Sequence, residues 1–454
     1  MTFGVDKQTK VDLNIFAQSK EDFSVFDLFN HTETKGGKDV LEKLMDNPLS
    51  NLTEINNRVA AIKFISNHKI QLVFDKERLD FIEYYLNLNT KILHNNFVDS
   101  AFSWFKNQLK PSNDYYIISR GLEYFNLYVQ SFSLFTQTLN QKDIPEFFEK
   151  VLQAFEEFES ISELKSFSKL NHKKISFRQL GRYDCILRKK EKEKIKTLLN
   201  LTYQMDALIS VSKALIANKL SFSIVKESAI PQIEIEGFFH PFLENPVLNT
   251  IRMDSSSNLC FVTGANMAGK STFLKSVGLC MYLSHIGFPV PAKTMKTTLF
   301  NGLFSIINIA DNIKLGYSHY FSEVKRVKKI ALMIKEKKRV FVIFDELFRG
   351  TNVRDAYDAS LLITSGFIKI KASMFFISTH IVEIGQELEK QEGTMFKCFS
   401  AQLQDGIPIY DYKLLDGISS ERLGLAIVKN EEIMEIIDEI VNESQLNPSL
   451  TTKL

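Results

Sequence analysis

Between Gly36 and Ser228 the apolar residues recur three or four apart, the period that lines one face of a helix, with few breakers beyond Pro48, Pro111 and Pro145. Phe147, Val151, Phe155 and Phe158 form one such stripe, and Leu198, Leu201, Met205, Leu208 and Leu215 a longer one. Both are expected to pack in a helical core. From about Ile233 the pattern changes to short apolar runs alternating with helical stretches, as in an α/β sheet domain. Leu259–Thr263, Val340–Phe344 and Ser373–Ser378 are runs of the kind that buried parallel strands show. The change falls near Ser228-Ala-Ile-Pro231. The expected fold class is therefore α + α/β: a mainly helical domain over residues 1–230, an α/β domain over 231–429, and a C-terminal helix and tail over 430–454.

Basic and acidic residues nearly balance, leaving a formal net charge of +2, so no strong field for polyanions surrounds the whole chain. Charge is uneven in one place. Between Lys165 and Lys196, 12 Lys or Arg stand against only Asp184, Glu191 and Glu193. Such an excess suits a phosphate backbone, whose contacts release counterions. The alternation of Lys and Glu over residues 188–194 equally describes a solvated helix face. Lys189, Lys190, Lys192 and Lys194 are the candidate nucleic-acid contacts. Cys185, Cys260, Cys280 and Cys398 are too scattered for a zinc site or a disulfide framework, so a reducing, cytoplasmic compartment is expected. No charged-then-apolar leader follows Met1, and no uninterrupted apolar run reaches about 18 residues, so neither export nor membrane insertion is expected.

The chemistry lies in the α/β half. The run ending at Thr263 leads into Gly264-Ala265-Asn266-Met267-Ala268-Gly269-Lys270-Ser271-Thr272, with a helical pattern behind it. Glycines at this spacing let backbone N–H groups close around phosphates, a lysine reaches the β and γ oxygens, and a hydroxyl holds Mg²⁺. The following helix aims its positive end at the same anion. Val340–Phe344 ends in Asp345-Glu346. An aspartate there suits the Mg²⁺ shell, and the adjacent glutamate suits the attacking water. His380, at the tip of the Ser373–Ser378 run, is a candidate γ-phosphate sensor, since sheets of this kind bind ligand at the C-terminal edge of their strands.

The segment Thr263–Thr272, with its Asn266-Met267 pair, resembles the P-loop of the MutS family. Gly316-Tyr-Ser318-His-Tyr-Phe-Ser-Glu323 is similar to that family's signature loop, and Asp345-Glu346-Leu-Phe-Arg349-Gly350-Thr351 to its Asp-Glu-x-x-Arg-Gly-Thr segment. Ser378-Thr379-His380 and Gly417–Ala426 follow in the family's order. Thr34-Lys-Gly36-Gly37-Lys, Asn47-Pro48-Leu49, Ile55, Arg58 and Ile62 resemble the opening of its core domain, and His240-Pro241 the motif before its ATPase domain.

The resemblance implies a helical core/lever domain followed by an ABC-type P-loop ATPase domain using ATP and Mg²⁺ in a DNA-binding homodimer. Lys270, Ser271, Asp345, Glu346 and His380 would act on nucleotide held by their own subunit, with Asn266 near the phosphates, while Ser318 would reach the γ-phosphate bound by the partner. An aromatic Phe-x-Glu mispair reader is not expected, because the triplets at Phe81, Phe147 and Phe155 fit helix faces. DNA structure, duplex or branched, is thus the expected target in repair or recombination, with an RNA-directed ATPase or a nucleotide-switched protein scaffold as alternatives. Two departures stand out: Ala265 replaces the family's common Pro, and Phe348 stands where a Gly is usual. No residue is assigned to the adenine ring.

Overall fold

The helical and the strand-rich stretches fold into two units. The computed structural model describes residues 3–19, 21–71, 75–90, 92, 113–139, 143–171, 175–307, 319–348, 350–404, 407–419 and 433–446. One unit is Ser19–Asn47 with Thr53–Ala217; the other is Met1–Gln18 with Pro48–Leu52 and Asn218–Leu454. The first helix, α1 (Lys7–Asp12), belongs to the second unit.

The helical unit contains α2 (Val25–Phe29), α3 (Lys35–Asp46), α4 (Leu52–His68, from Thr53), α5 (Lys76–Leu86), α6 (Asn113–Thr138), α7 (Glu146–Ser160), α8 (Ser162–Ser168), α9 (Phe177–Cys185) and α10 (Lys192–Ala217). Its core is aromatic: Phe132 meets Phe155 at 5.3 Å between ring centroids, and Phe125 stacks on Phe167 at 5.7 Å. The Phe-x-Glu triplets at Phe81, Phe147 and Phe155 lie in α5 and α7. The Thr34-Lys-Gly36-Gly37 motif has a packing reason. Asp206 of α10 accepts hydrogen bonds from the Thr34 amide at 2.8 Å and the Thr34 hydroxyl at 2.7 Å, and that hydroxyl caps α3 by accepting from the Gly37 amide at 2.9 Å. A Cβ on Gly37 would lie 2.1 Å from the Asp206 carboxylate, and one on Gly36 would lie 2.5 Å from the Tyr203 ring. Only glycines admit α10 so close.

A π-helical turn, Ile186–Lys190, joins α9 to α10 and turns Arg188 inward. Its guanidinium pairs with Asp184 at 2.6 Å, both side chains being buried, and the Tyr85 hydroxyl donates to the same carboxylate at 3.0 Å. A buried ion pair needs such extra partners to offset desolvation. Burial pushes the Tyr85 phenol well above its usual range, and the neighbouring Asp184 charge adds to the rise. One of the 12 basic residues of the Lys165–Lys196 stretch is thus a core residue and not surface charge.

The second unit holds two sheets. The strands are β1 (Ile224–Lys226), β2 (Ile233–Phe238), β3 (Asn249–Met253), β4 (Leu259–Gly264), β5 (Thr294–Thr298), β6 (Leu303–Ile306), β7 (Phe341–Asp345), β8 (Met374–Ser378), β9 (Thr394–Gln404) and β10 (Ile407–Asp416). One sheet runs β1-β5-β2-β3 and the other β10-β9-β4-β8-β7-β6; in the latter only β10 is antiparallel to its neighbour. β7 and β8 are buried along their whole length and β4 up to Thr263, and their residues are apolar until the last one or two positions, as in a sheet covered on both faces. Helices α11 (Lys270–His285), α12 (His319–Lys337), α13 (Val353–Ile368) and α14 (Val382–Leu388) belong to this unit, as does α15 (Ile433–Leu446).

Two features depart from the expected boundaries. Residue 230 falls inside this unit, since β1 pairs in parallel with β5. The first 18 residues also belong here and not with the helical unit that follows them. Among the described residues no helix is long and apolar enough to cross a membrane.

Candidate nucleotide site

β4 delivers the chain to the phosphate loop, and register fixes what surrounds it. Gly264 lies beside Phe399 of β9 with φ +142°, and a Cβ there would meet the Phe399 carbonyl oxygen at 2.6 Å. Gly269 takes φ +106° as the N-cap of α11 and offers no side chain, leaving the helix's first amides for an anion. Met267 between them also has positive φ and is 76% exposed, like its exposed neighbour Asn266, while Ala265 and Ala268 are buried. Ser271 and Thr272 open α11, with Ser271 exposed.

Lys270 is only 5% exposed. Its ammonium donates to the carbonyls of Gly264 and Ala265, both at 2.9 Å, and lies 3.4 Å from Nε2 of His380. His380 follows β8, and its Nε2 is 2.8 Å from Oε1 of Glu346. One ring nitrogen cannot both donate to the carboxylate and accept from the ammonium. The shorter contact assigns the Nε2 proton to Glu346. Asp345 ends β7 opposite Ser378 of β8, whose hydroxyl donates to its carboxylate. Glu346 follows with φ +57°, its amide donating to the Ser378 carbonyl at 3.0 Å. Lys270, Asp345, Glu346 and His380 thus meet at the C-terminal edge of three adjacent parallel strands, where the topology places a ligand.

A cavity of about 330 Å³ opens beside the loop, walled by Phe238, His240, Leu243, Met267, Thr272 and Tyr412 among others. Burial, helped by the charge of Lys275, pushes His240 down to about 4, so its ring is neutral near pH 7. Tyr412 sits in an irregular stretch of β10 with φ +55°. The Asn249 side chain holds that stretch from both ends, donating to the Tyr412 carbonyl at 3.0 Å and accepting from the Leu414 amide at 2.8 Å. This largely apolar chamber has the character of a seat for a planar ring. The sequence signalled it only through His240-Pro241; the bulge that presents Tyr412 has no motif.

Phe348 has φ +64° and is buried, its ring centroid 5.7 Å from that of Tyr320 in α12. Ser318, Arg349 and residues 420–426 of the Gly417–Ala426 match lie outside the described residues. The candidate nucleic-acid lysines lie in the other unit. Lys189 and Lys190 are exposed, Lys192 is half-buried, and exposed Lys194 is 3.5 Å from Glu191.

A Gly-rich loop between a buried parallel strand and a helix, with an acidic pair at the end of β7 one strand removed, defines a P-loop nucleotide-binding fold. Residues 260–447 match the family MutS domain V. Three curated relatives carry the description DNA mismatch repair protein MutS. That of Thermotoga sp. (strain RQ2) is 29% identical over 272 residues, covering 59% of this chain and 33% of the relative. That of Ehrlichia ruminantium (strain Welgevonden) is 31% identical over 222 residues, covering 48% and 26%. That of Wolbachia pipientis wMel is 26% identical over 415 residues, covering 88% and 44%. The match places residues 260–447 in the MutS family, and the chain spans about a third of the length of the first of these relatives.

Proposed function

We propose that this protein is a Mg²⁺-dependent ATPase of the mismatch-repair family that binds DNA and works as a homodimer with composite nucleotide sites. The observation that carries the reading is the meeting of Lys270, Asp345, Glu346 and His380 beside the open N-terminus of α11. The loop amides and Lys270 hold the phosphates, and the neighbouring cavity takes the base. Ser271 and Asp345 supply a hydroxyl and a carboxylate, the hard oxygen donors that Mg²⁺ accepts alongside water and phosphate, and they would hold the ion. When bound, it neutralises charge on the β and γ oxygens. Glu346, oriented by His380, takes the proton of a water whose oxygen attacks the γ-phosphorus, and the bond to the β–γ bridging oxygen breaks to release ADP. Ser318 completes the site bound by the partner subunit. The exposed lysines near residue 190 track phosphates, so DNA is selected by its structure and not by base edges.

Lys270→Ala is expected to weaken binding of a fluorescent ATP analogue by about 10- to 100-fold, because charge-assisted hydrogen bonds to the phosphates are removed. Glu346→Ala binds the analogue normally and releases phosphate about 10²- to 10⁴-fold more slowly. Near-normal turnover by Glu346→Ala removes it as the carboxylate acting on water. Undiminished binding by Lys270→Ala refutes the phosphate seat.

A further inference from the structure

Residues 3–15 form an arm along the edge of the six-stranded sheet. Gly4 bridges in parallel to Gly302, accepting from the Leu303 amide at 2.8 Å and donating to the Asn301 carbonyl at 2.7 Å. Leu13 and Ile15 are buried, and Gly278 of the P-loop helix α11 makes room for Leu13: a Cβ there would lie 2.8 Å from the leucine. Covering an edge strand explains this much. It does not explain two buried or nearly buried carboxylates at the two ends of α1.

Asp6, the N-cap of α1, receives both terminal nitrogens of Arg326 on α12, one of them at 2.9 Å, and Lys329 lies 3.4 Å away. Burial alone would raise the Asp6 carboxyl; the hydrogen bonds and charge of Arg326 outweigh it and hold the group well below the usual carboxylate range. Arg326 also donates to the Ser305 carbonyl of β6 at 3.0 Å. Asp12, the last residue of α1, is 2% exposed and accepts from the Ser305 hydroxyl at 2.6 Å and the Ile307 amide at 3.0 Å. Ile307 is the residue after β6, and α12 starts at His319. A six-residue helix is about 9 Å long, so α1 is a short strut with one anchor on each of these elements.

We propose that the arm is a positioning element for the partner-directed half of the ATPase site: Asp6 through Arg326, and Asp12 through Ser305 and Ile307, fix the two elements that flank Ser318 in the chain. This rests on the composite-site reading above. Asp6→Asn sets an amide N–H₂ or a weaker oxygen against guanidinium donors and loses the charge; Asp6→Glu keeps it.

The test uses the full chain carrying Asp6→Asn, Asp12→Asn or Asp6→Glu, with binding of a fluorescent ADP analogue and steady-state phosphate release as readouts. Both Asn variants are expected to bind ADP as the unaltered chain does and to release phosphate about 10- to 100-fold more slowly, as a misplacement of about 1 Å can cause. Asp6→Glu recovers most of that loss. Mixing decides between positioning and mere support. Asp6→Asn subunits keep their own nucleotide seat, so adding Lys270→Ala subunits, whose arm is intact, should restore activity. Adding Ser318→Arg subunits should not. The control is Ser318→Arg mixed with Lys270→Ala, which tests the composite site alone.

If the control recovers but Asp6→Asn with Lys270→Ala does not, the arm is structural only and the inference falls while the composite site stands. If the control fails with heterodimers confirmed by native mass spectrometry, the composite reading falls and takes this inference with it. Loss of ADP binding in both Asn variants also overturns it, by making the arm part of the nucleotide seat.

Discussion

Phe348 offers a test of the backbone after the acidic pair. It occupies a left-handed conformation, φ +64°, in which an L-residue costs roughly 1–2 kcal/mol. It is nonetheless 3% exposed and packs beside Phe344, Leu347 and Tyr320, so burial worth about 1.5–3 kcal/mol offsets the strain. Phe348→Ala removes the ring and keeps the strain, for an expected loss of about 3–5 kcal/mol. Phe348→Gly removes one methyl more and adds unfolded-state entropy, but it recovers the left-handed penalty. The glycine variant should therefore be the more stable of the two by about 1 kcal/mol, reversing the usual advantage of Ala over Gly. In a unit of this size that is about 2–4 °C in the midpoint of thermal unfolding. Circular dichroism melts of the two variants side by side give the difference, and contributions from the helical unit cancel. An alanine variant as stable as the glycine variant, or more so, would refute a left-handed residue 348.

Two further outcomes are expected. The His285 ring has Nδ1 2.8 Å from the Met281 carbonyl and accepts the Phe300 amide on Nε2 at 3.0 Å; burial pushes it down to about 4 despite the Met281 bond, from 6.5. The unfolded chain therefore takes up a proton between pH 6.5 and 4 that the folded chain refuses, so stability is full above 6.5 and falls with pH, by about 2 kcal/mol from pH 7 to 5. Urea midpoints should show this slope, and His285→Asn should lack it; an equal slope in the variant places the proton elsewhere. Reversing Lys189, Lys190, Lys192 and Lys194 to Glu should weaken binding to matched and branched duplexes alike and flatten the salt dependence by about 0.9 in log–log slope for each phosphate no longer neutralised. An unchanged slope moves the DNA surface off this stretch.

What the sequence disclosed about the site is what short-range chemistry writes into it. The P-loop needs two positive-φ glycines five residues apart and a lysine beside the second, and the structure places Gly264, Gly269 and Lys270 in those conformations. Runs such as Val340–Phe344 read as buried strands because both faces of the sheet are covered. The basic stretch overstates the surface charge for a reason that is also local: Asp184 stands four residues before Arg188, the spacing at which a helical pair meets, yet it takes partners about 100 residues away, the Tyr85 hydroxyl and the Leu88 and Thr90 carbonyls, to show that the pair is internal. The arm is hidden altogether. Residues 1–18 read as the start of the helical domain, while their partners Ser305 and Arg326 lie about 300 residues away and are joined through single carboxylates that leave no periodic trace.

Two long-range contacts converge on one helix. Tyr320, at the start of α12, meets the ring of Phe348 just after the acidic pair, and Arg326 of the same helix is held by Asp6 of the arm. Six residues at about 100° each put these contacts about 120° apart around the helix axis, so they restrain different faces. Rotation of α12 about its own axis would then break at least one of them, whereas movement along with both the β7 turn and the arm would break neither. In the composite-site reading, a change at Glu346 therefore reaches α12 as a displacement of a braced helix. Phe348→Gly and Asp6→Asn act on the two braces separately, and their combination should lower phosphate release by more than either alone if both braces serve the same helix.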